Sequence, residues 1–278
     1  MKLIYTLFID CNANNEALFC GYKTSKDLLD SLLLSSTLSG KHFNGCELYC
    51  NSRGLLLIEQ DGRKFPFTNI FTILDDLESW LFKDNWAYSK ILTYSKQQSP
   101  FIHLDCDAIL VDGLPVDLLN KKFIFQQEEL LSLFSFGYYN AVFKEAKRFN
   151  ILPEEINYLP VCAMNMGIFG CLQKDYLKIV QQYSAVVLKY LQQQQKEKYD
   201  TLYFKKEQSM FFEQLFIVNI LLDNGLKKDI DFDTILNEKG KNKYLPAYRY
   251  SHFVRGIKRN ETVTHAIRKE LILLGFGK

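Results

Sequence analysis

Over its first 110 residues the chain alternates apolar runs of strand length with stretches of helical spacing, and this alternation constrains the fold more than any other feature. Leu3 to Asp10 (Leu-Ile-Tyr-Thr-Leu-Phe-Ile-Asp) reads as a buried strand ending at a polar turn, Asp10 to Asn15. A helix is expected from Ser25, with Leu28, Leu29, Leu32, Leu33 and Leu38 near helical spacing and an end at Ser39-Gly40. Cys46 to Cys50 reads as a second strand, Gly54 to Gln60 as a helix or a strand, and Phe71 to Leu74 as another strand. Trp80 to Tyr94 reads as a helix, followed by the polar loop Ser95 to Ser99. Phe101 to Val111 is then a strand whose apolar run is interrupted by two carboxylates. Strands alternating with helices predict an α/β fold, with a mostly parallel central sheet flanked by helices. Such sheets bind ligands at the carboxyl ends of their strands.

The second half is less regular. Strands are expected at Phe123 to Gln127 and Cys162 to Gly170, and helices at Asp175 to Gln195, Glu207 to Leu222 and Val263 to Leu274. No internal repeat is visible, and no linker rich in Gly, Pro or Ser divides the chain. One continuous domain over 1–278 is expected. It is expected to have two functional halves, about 1–125 and about 126–278.

Composition removes several classes of function. With 22 Phe and 16 Tyr the chain can bury a large core, which excludes wholesale disorder. The 34 basic and 32 acidic side chains leave a net charge of +2, with no general pull toward nucleic acid or a membrane surface. No apolar run is long enough to span a bilayer, and the opening Met-Lys-Leu-Ile-Tyr-Thr does not read as a signal peptide. Seven scattered cysteines without a CxxC are expected as reduced core thiols of a cytoplasmic protein. Function must therefore reside in a local site.

Four short patterns carry chemistry. Asp105-x-Asp107 leaves a strongly apolar strand, and two carboxylates there suit a hard divalent cation such as Mg²⁺ or Mn²⁺, although a solvated turn is the ordinary meaning of the pattern. In His252-Phe253-x-x-Gly256-x-Lys258-Arg259 a neutral imidazole can complete a metal site, Gly256 allows close backbone approach, and Lys258 can neutralise a phosphate. The alternative there is a basic loop, with Arg249 and Arg255 nearby. Asn165-Met166-Gly167 offers an amide able to donate to and accept from sugar hydroxyls, or else a strand with a glycine bulge. Glu207-Gln208 opens a helix and can grip hydroxyls, or simply serve the helix N-terminus.

In this order, the patterns resemble those of glycosyltransferases of the GT-A fold, and within them the glycogenin-like and lipopolysaccharide galactosyltransferase-like group, which uses D-x-D, N-x-G, D-Q and H-x-x-G-x-x-K-P-W. Trp86-Ala87-x-x-Lys90-Ile91 and Pro100 to Leu104 also fit, so the resemblance runs from Leu3 to about Arg259. It implies a single GT-A type domain, with a nucleotide-binding half over about 1–125 and a donor-sugar and acceptor half with a C-terminal metal and phosphate loop over about 126–278, a nucleotide-sugar donor (usually a UDP-sugar) and Mn²⁺ or Mg²⁺. It implies Asp107 as direct metal ligand, Asp105 as shared between metal and ribose, and His252 as third protein ligand. Lys258 would lie on the diphosphate and Lys90 on the ribose or a phosphate. Asn165 and Gly167, with Glu207 and Gln208, would lie near the donor sugar. The chain departs from the pattern in the displaced Gly256, in Arg259-Asn260 in place of Pro-Trp, and in Glu207 in place of Asp.

The acceptor (a glycan, a lipid-linked sugar or a peptide) is expected between Gln126 and Pro160, a stretch with Phe134, Phe136, Tyr138, Tyr139, Phe143 and Phe149 that can stack on it or form core. Glu207 and Glu213 are available as a base. Two rivals share the metal and diphosphate chemistry or the fold: a metal-dependent nucleotidyltransferase, and a non-catalytic sugar- or partner-binding protein. The first usually carries a glycine-rich basic loop, which Asp10 to Asn15 lacks.

Overall fold

The computed structural model describes residues 1–10, 19–77, 87–114, 116–130, 162–197, 211–226, 232–234, 244–245, 250–252 and 255–276, with positions 140, 143, 144 and 209. In chain order the strands are β1 (Lys2–Leu7), β2 (Cys46–Cys50), β3 (Asn69–Phe71), β4 (Phe101–Leu104), β5 (Ala108–Leu110), β6 (Phe123–Leu130), β7 (Cys162–Cys171), β8 (Phe232–Thr234), β9 (Tyr244–Leu245) and β10 (Tyr250–His252). The helices are α1 (Ser25–Gly40), α2 (Ser52–Asp61), α3 (Ala87–Ser95), α4 (Leu177–Glu197), α5 (Ile217–Asp223) and α6 (Glu261–Leu273). The chain forms two compact units, 1–83 with 101–120 and 239–278, and 84–100 with 121–238. The expected fold class, α/β with mostly parallel strands, is what the described residues form.

In the first unit β3, β2, β1 and β4 lie side by side and run parallel, with Leu3 opposite both Cys46 and Ile102. Leu3, Ile4, Tyr5 and Leu7 are fully buried, as in a parallel sheet covered on both faces. Helix α1 starts at Thr24, whose hydroxyl accepts from the Asp27 amide at 3.1 Å and so satisfies one of the helix's unpaired N–H groups. Helix α2 settles the stretch that the sequence left open between helix and strand. Asn51 caps its start, accepting from Gly54 N at 3.0 Å, and Gly62 ends it at φ 72°, where a side chain would be strained.

The stretch Phe101–Val111 is two strands and not the single one expected. β4 belongs to the parallel set, while β5 pairs antiparallel with β10, which also pairs with β9. Between β4 and β5 the Ala108 amide bonds back to Asp105 O at 2.9 Å, closing a tight turn. Three serines of α1 hold this turn. Ser31 Oγ donates to Cys106 O at 3.1 Å, Ser35 Oγ donates to Ala108 O, and Ser39 Oγ accepts from Leu110 N at 2.9 Å. The spacings match, because four residues of helix rise about 6 Å and two residues of strand about 6.6 Å.

In the second unit β7 pairs antiparallel with β6, which pairs parallel with β8. A bulge between Phe125 and Gln127 brings Gln127 opposite Asn165. Helix α5 follows a turn of π-helix at Phe211–Phe216. Phe143, expected among the acceptor aromatics, is 8% exposed and packs on Phe211 with ring centroids 6.5 Å apart. Phe134, Phe136, Tyr138, Tyr139 and Phe149 lie outside the described residues. No helix among the described residues is long and apolar enough to cross a membrane.

Candidate metal centre

The turn after β4 delivers both aspartates to the C-terminal end of a parallel strand, the edge at which such sheets bind ligands. Asp107 is 4% exposed, so the solvated-turn meaning of D-x-D does not apply to it. His252 arrives from 145 positions later through strand register: β10 pairs with β5 so that His252 faces Ala108, the neighbour of Asp107. Its Nε2 lies 3.4 Å from Asp107 Oδ1 and 3.9 Å from Asp105 Oδ2. One ligand atom from each of Asp105, Asp107 and His252 falls within 4.8 Å of the others.

Lys258 follows in the short 3-10 turn Arg255–Arg259, and its Nζ is 2.6 Å from Asp107 Oδ2. Burial alone would push the Asp107 carboxyl up, but the Lys258 ammonium and His252 beside it outweigh burial and hold it far below the usual carboxylate range. Lys258 is shifted the other way: burial works against its charge, Asp107 outweighs burial, and the ammonium is held more tightly than in water. Its Nζ also donates to Cys20 O at 2.9 Å and lies 5.5 Å from the centre of the Tyr22 ring.

Two carboxylate groups and an imidazole, converging beside a half-buried ammonium that already serves as counter-ion, fit a hard or borderline divalent cation such as Mg²⁺ or Mn²⁺. Residues that motif reading missed hold the cluster in place. His103, 1% exposed, contacts Thr6 Oγ1 on β1 at 3.1 Å through Nε2, and its Nδ1 is 3.9 Å from Asp105 Oδ1. The signal for it was a histidine inside an otherwise apolar strand. The signal for the serine row was Ser31, Ser35 and Ser39 at four-residue spacing in an apolar helix.

Along the same edge a cavity of about 140 Å³ opens beyond β1, β2 and β3, lined by Asp10, Asn51, Arg53 and Asp75 among others. Asn51 is fixed there, accepting from Ile9 N at 3.2 Å and donating to Ile9 O at 2.9 Å.

Of the remaining sequence candidates, Gly256 belongs to the first unit, and the others belong to the second unit or lie outside the described residues. Asn165 is on β7, its Oδ1 accepting from Gly167 N at 3.0 Å. Lys90, on α3, donates to Glu213 Oε1 at 2.7 Å, and Glu213 is 1% exposed. This pair gives both residues a partner that the sequence did not indicate. Gly256 lies in the 3-10 turn with Lys258. Glu207 and Gln208, like Trp86, lie outside the described residues.

The model of a family of unknown function (DUF6734) matches residues 1–274, and the chain belongs to that family. No curated protein matches it. Among solved structures, apo mouse xyloside xylosyltransferase 1 is similar at 11% identity and a TM-score of 0.42, over 91% of this chain and 97% of that one. The galactosyltransferase LgtC, in complex with donor and acceptor sugar analogs, is similar at 10% identity and 0.43, over 97% and 94%. The inositol-1-phosphate CTP transferase from T. maritima is similar at 10% identity and 0.45, over 97% and 96%.

Proposed function

We propose that this chain is a metal-dependent glycosyltransferase that takes a sugar from a nucleoside diphosphate donor, a UDP-sugar, and passes it to an acceptor hydroxyl. The observation that carries the reading is the convergence of Asp105, Asp107 and His252 with Lys258 at the C-terminal end of β4. Asp105, Asp107 and His252 would hold Mn²⁺ or Mg²⁺, which when bound supplies a positive centre for the diphosphate oxygens. The chain's own contribution is electrostatic. As the sugar–oxygen bond breaks, negative charge grows on the departing phosphate, and on this reading the Lys258 ammonium meets it. The cavity lined by Asp10, Asn51, Arg53 and Asp75 supports a nucleoside on the same edge, since it offers both donors and acceptors. On this reading Lys90 takes the ribose or a phosphate, and Asn165, Gly167, Glu207 and Gln208 take the donor sugar, as the motif resemblance assigns them.

The test is a panel of nucleotide sugars, with and without Mn²⁺, read by melting temperature and by ³¹P NMR of the products. A ligand that binds only the native state raises the melting point, by about 2.7 kcal/mol of added stability at a hundred times its Kd. Expected is a Mn²⁺-dependent rise with a UDP-sugar, and slow release of nucleoside diphosphate. Release of pyrophosphate from a nucleoside triphosphate would make the chain a nucleotidyltransferase. No response to any nucleotide would overturn the reading.

A further inference from the structure

Lys258 is placed for something other than waiting on a ligand. Its ammonium sits directly on Asp107, 2.6 Å from Oδ2, on a carboxylate that the divalent ion of the preceding section would need. The same Nζ is held from behind by Cys20 O at 2.9 Å, and Arg259 Nε donates to Gly21 O at 3.2 Å. Both acceptors lie in one loop of unusual backbone: Cys20 has φ 54° and Gly21 φ 89°. A Cβ on Gly21 would meet the Lys258 side chain at 3.4 Å, so the loop lies closely against the lysine stem. The Tyr22 ring and its hydroxyl, which donates to Ser31 Oγ at 2.7 Å, close the other side.

An ion on Asp107 would lie within a few ångströms of the Lys258 ammonium, and like charges at that range repel. We propose that Lys258 is a built-in competitor for the cation site: a divalent ion takes Asp107 only by displacing the ammonium, and the displaced arm leaves the Cys20–Gly21 loop. This inference rests on the metal-dependent reading above and adds to it an order of events. The ion binds first, and only then is Lys258 released to meet a phosphate. The device protects the buried carboxylate from standing uncompensated before the ion arrives.

The experiment uses the full chain and Mn²⁺ alone, without nucleotide, with free Mn²⁺ counted by electron paramagnetic resonance at fixed ionic strength. Lys258→Met keeps the length of the side chain and removes its charge. Lys23→Met removes the same charge from a lysine that pairs with Glu261 at 3.2 Å and serves as the control for net charge. Asp107→Asn removes the carboxylate. Expected is Mn²⁺ bound at least tenfold more tightly by Lys258→Met than by the natural chain, unchanged binding by Lys23→Met, and loss of binding by Asp107→Asn. Should Lys258→Met fold poorly, the natural chain carries the test: Mn²⁺ should speed amide hydrogen exchange at 19–22 as the loop loses its lysine. Equal or weaker Mn²⁺ affinity in Lys258→Met with binding still lost in Asp107→Asn overturns the competition and leaves the metal site standing. An equal gain in Lys23→Met, or unaltered exchange at 19–22, also overturns it. No Mn²⁺ binding by any form overturns both readings.

Discussion

The three serines of α1 make a quantitative prediction about how the turn that carries Asp105 and Asp107 is held. Ser31 and Ser35 each take a tyrosine hydroxyl on one side, from Tyr22 and Tyr5 at 2.7 Å, and give a bond to a backbone carbonyl on the other, Cys106 O and Ala108 O. Replacing Ser31 by Ala strands two buried polar groups at once. The Tyr5 hydroxyl also bonds to Ser39, so Ser35→Ala strands one group, Ala108 O, and Ser39→Ala strands one, the Leu110 amide. Leaving a buried group without its partner costs about 1–3 kcal/mol. Ser35→Ala and Ser39→Ala should therefore each cost about 1–2 kcal/mol, and Ser31→Ala about 2–4 kcal/mol, allowing for partial relaxation. Ser36 supplies the control: it is equally buried, but its hydroxyl bonds only to its own helix, at Leu32 O (2.7 Å) and Leu33 O (3.2 Å). Those carbonyls belong to the helix ladder, so Ser36→Ala should fall within about 0.5 kcal/mol of the natural chain. Urea unfolding monitored by circular dichroism and by amide exchange over 105–110 gives the ranking, and a Mn²⁺ titration of each variant links it to the site. Because Ser31 and Ser35 fix residues 106 and 108 on either side of Asp107, their loss should also weaken Mn²⁺ binding while Ser36→Ala leaves it alone. If Ser35→Ala and Ser36→Ala are equally stable and bind Mn²⁺ equally, the serine row does not hold the turn.

Other outcomes follow from charge and burial. Asp107 is ionised in the fold far below its ordinary range, so its stabilising contribution is present above the unfolded value of 3.8 and is lost as pH falls below that. The natural chain should accordingly lose stability more steeply between pH 5 and 3 than Asp107→Asn, by up to about 1.4 kcal/mol per pH unit; parallel acid limbs would contradict this. Asp30, 1% exposed, is held by Arg63 at 2.7 Å and by Arg268 at 3.0 Å. Arg63→Ala and Arg268→Ala should each cost about 1 kcal/mol, while the double variant, leaving the carboxylate buried and unpaired, should cost about 3–5 kcal/mol in denaturant unfolding. Burial pushes the thiols of Cys46, Cys50 and Cys171 up to about 12. At pH 8 a thiol reagent should modify the exposed Cys20 well before these three, as peptide mapping would read.

The fold was legible in the sequence where local signals and burial agree. Helix α1 begins and ends where the spacing of its leucines and Gly40 place it, β2 matches the run expected of it, and β1 overlaps its expected run but starts one residue earlier, at Lys2, and ends at Leu7. The helix-or-strand ambiguity at Gly54 to Gln60 had its answer nearby, in Asn51 as cap and Gly62 as left-handed stop, signals that lie outside the stretch itself. The division of Phe101–Val111 was not legible. Its turn contains neither Gly nor Pro, and Ala108, Ile109 and Leu110 are as buried as Phe101, Ile102 and Leu104. Apolar periodicity records that a residue is buried and not in which sheet, so a chain passing from one sheet to another through a turn with two carboxylates reads as one strand.

The candidate centre shows the same boundary. Asp105, Asp107, His252 and Lys258 are singled out by short sequence patterns, and the structure brings all four together. What holds them is set by long-range register. His252 reaches Asp107 because β10 pairs with β5 at Ala108, and a shift of two residues in that pairing would carry the imidazole about 6.6 Å along the strand and out of reach. Lys258 meets Asp107 through a short helical turn and two backbone carbonyls, Cys20 O and Gly21 O, acceptors that every residue type offers and no motif can specify. Register is in turn fixed by β5, whose amide and carbonyl groups are tied to Ser39 and Ser35. A helix thirty residues into the chain thus sets the position of a histidine near its end, which explains why the ligands can be named from sequence while the geometry that makes them a site cannot.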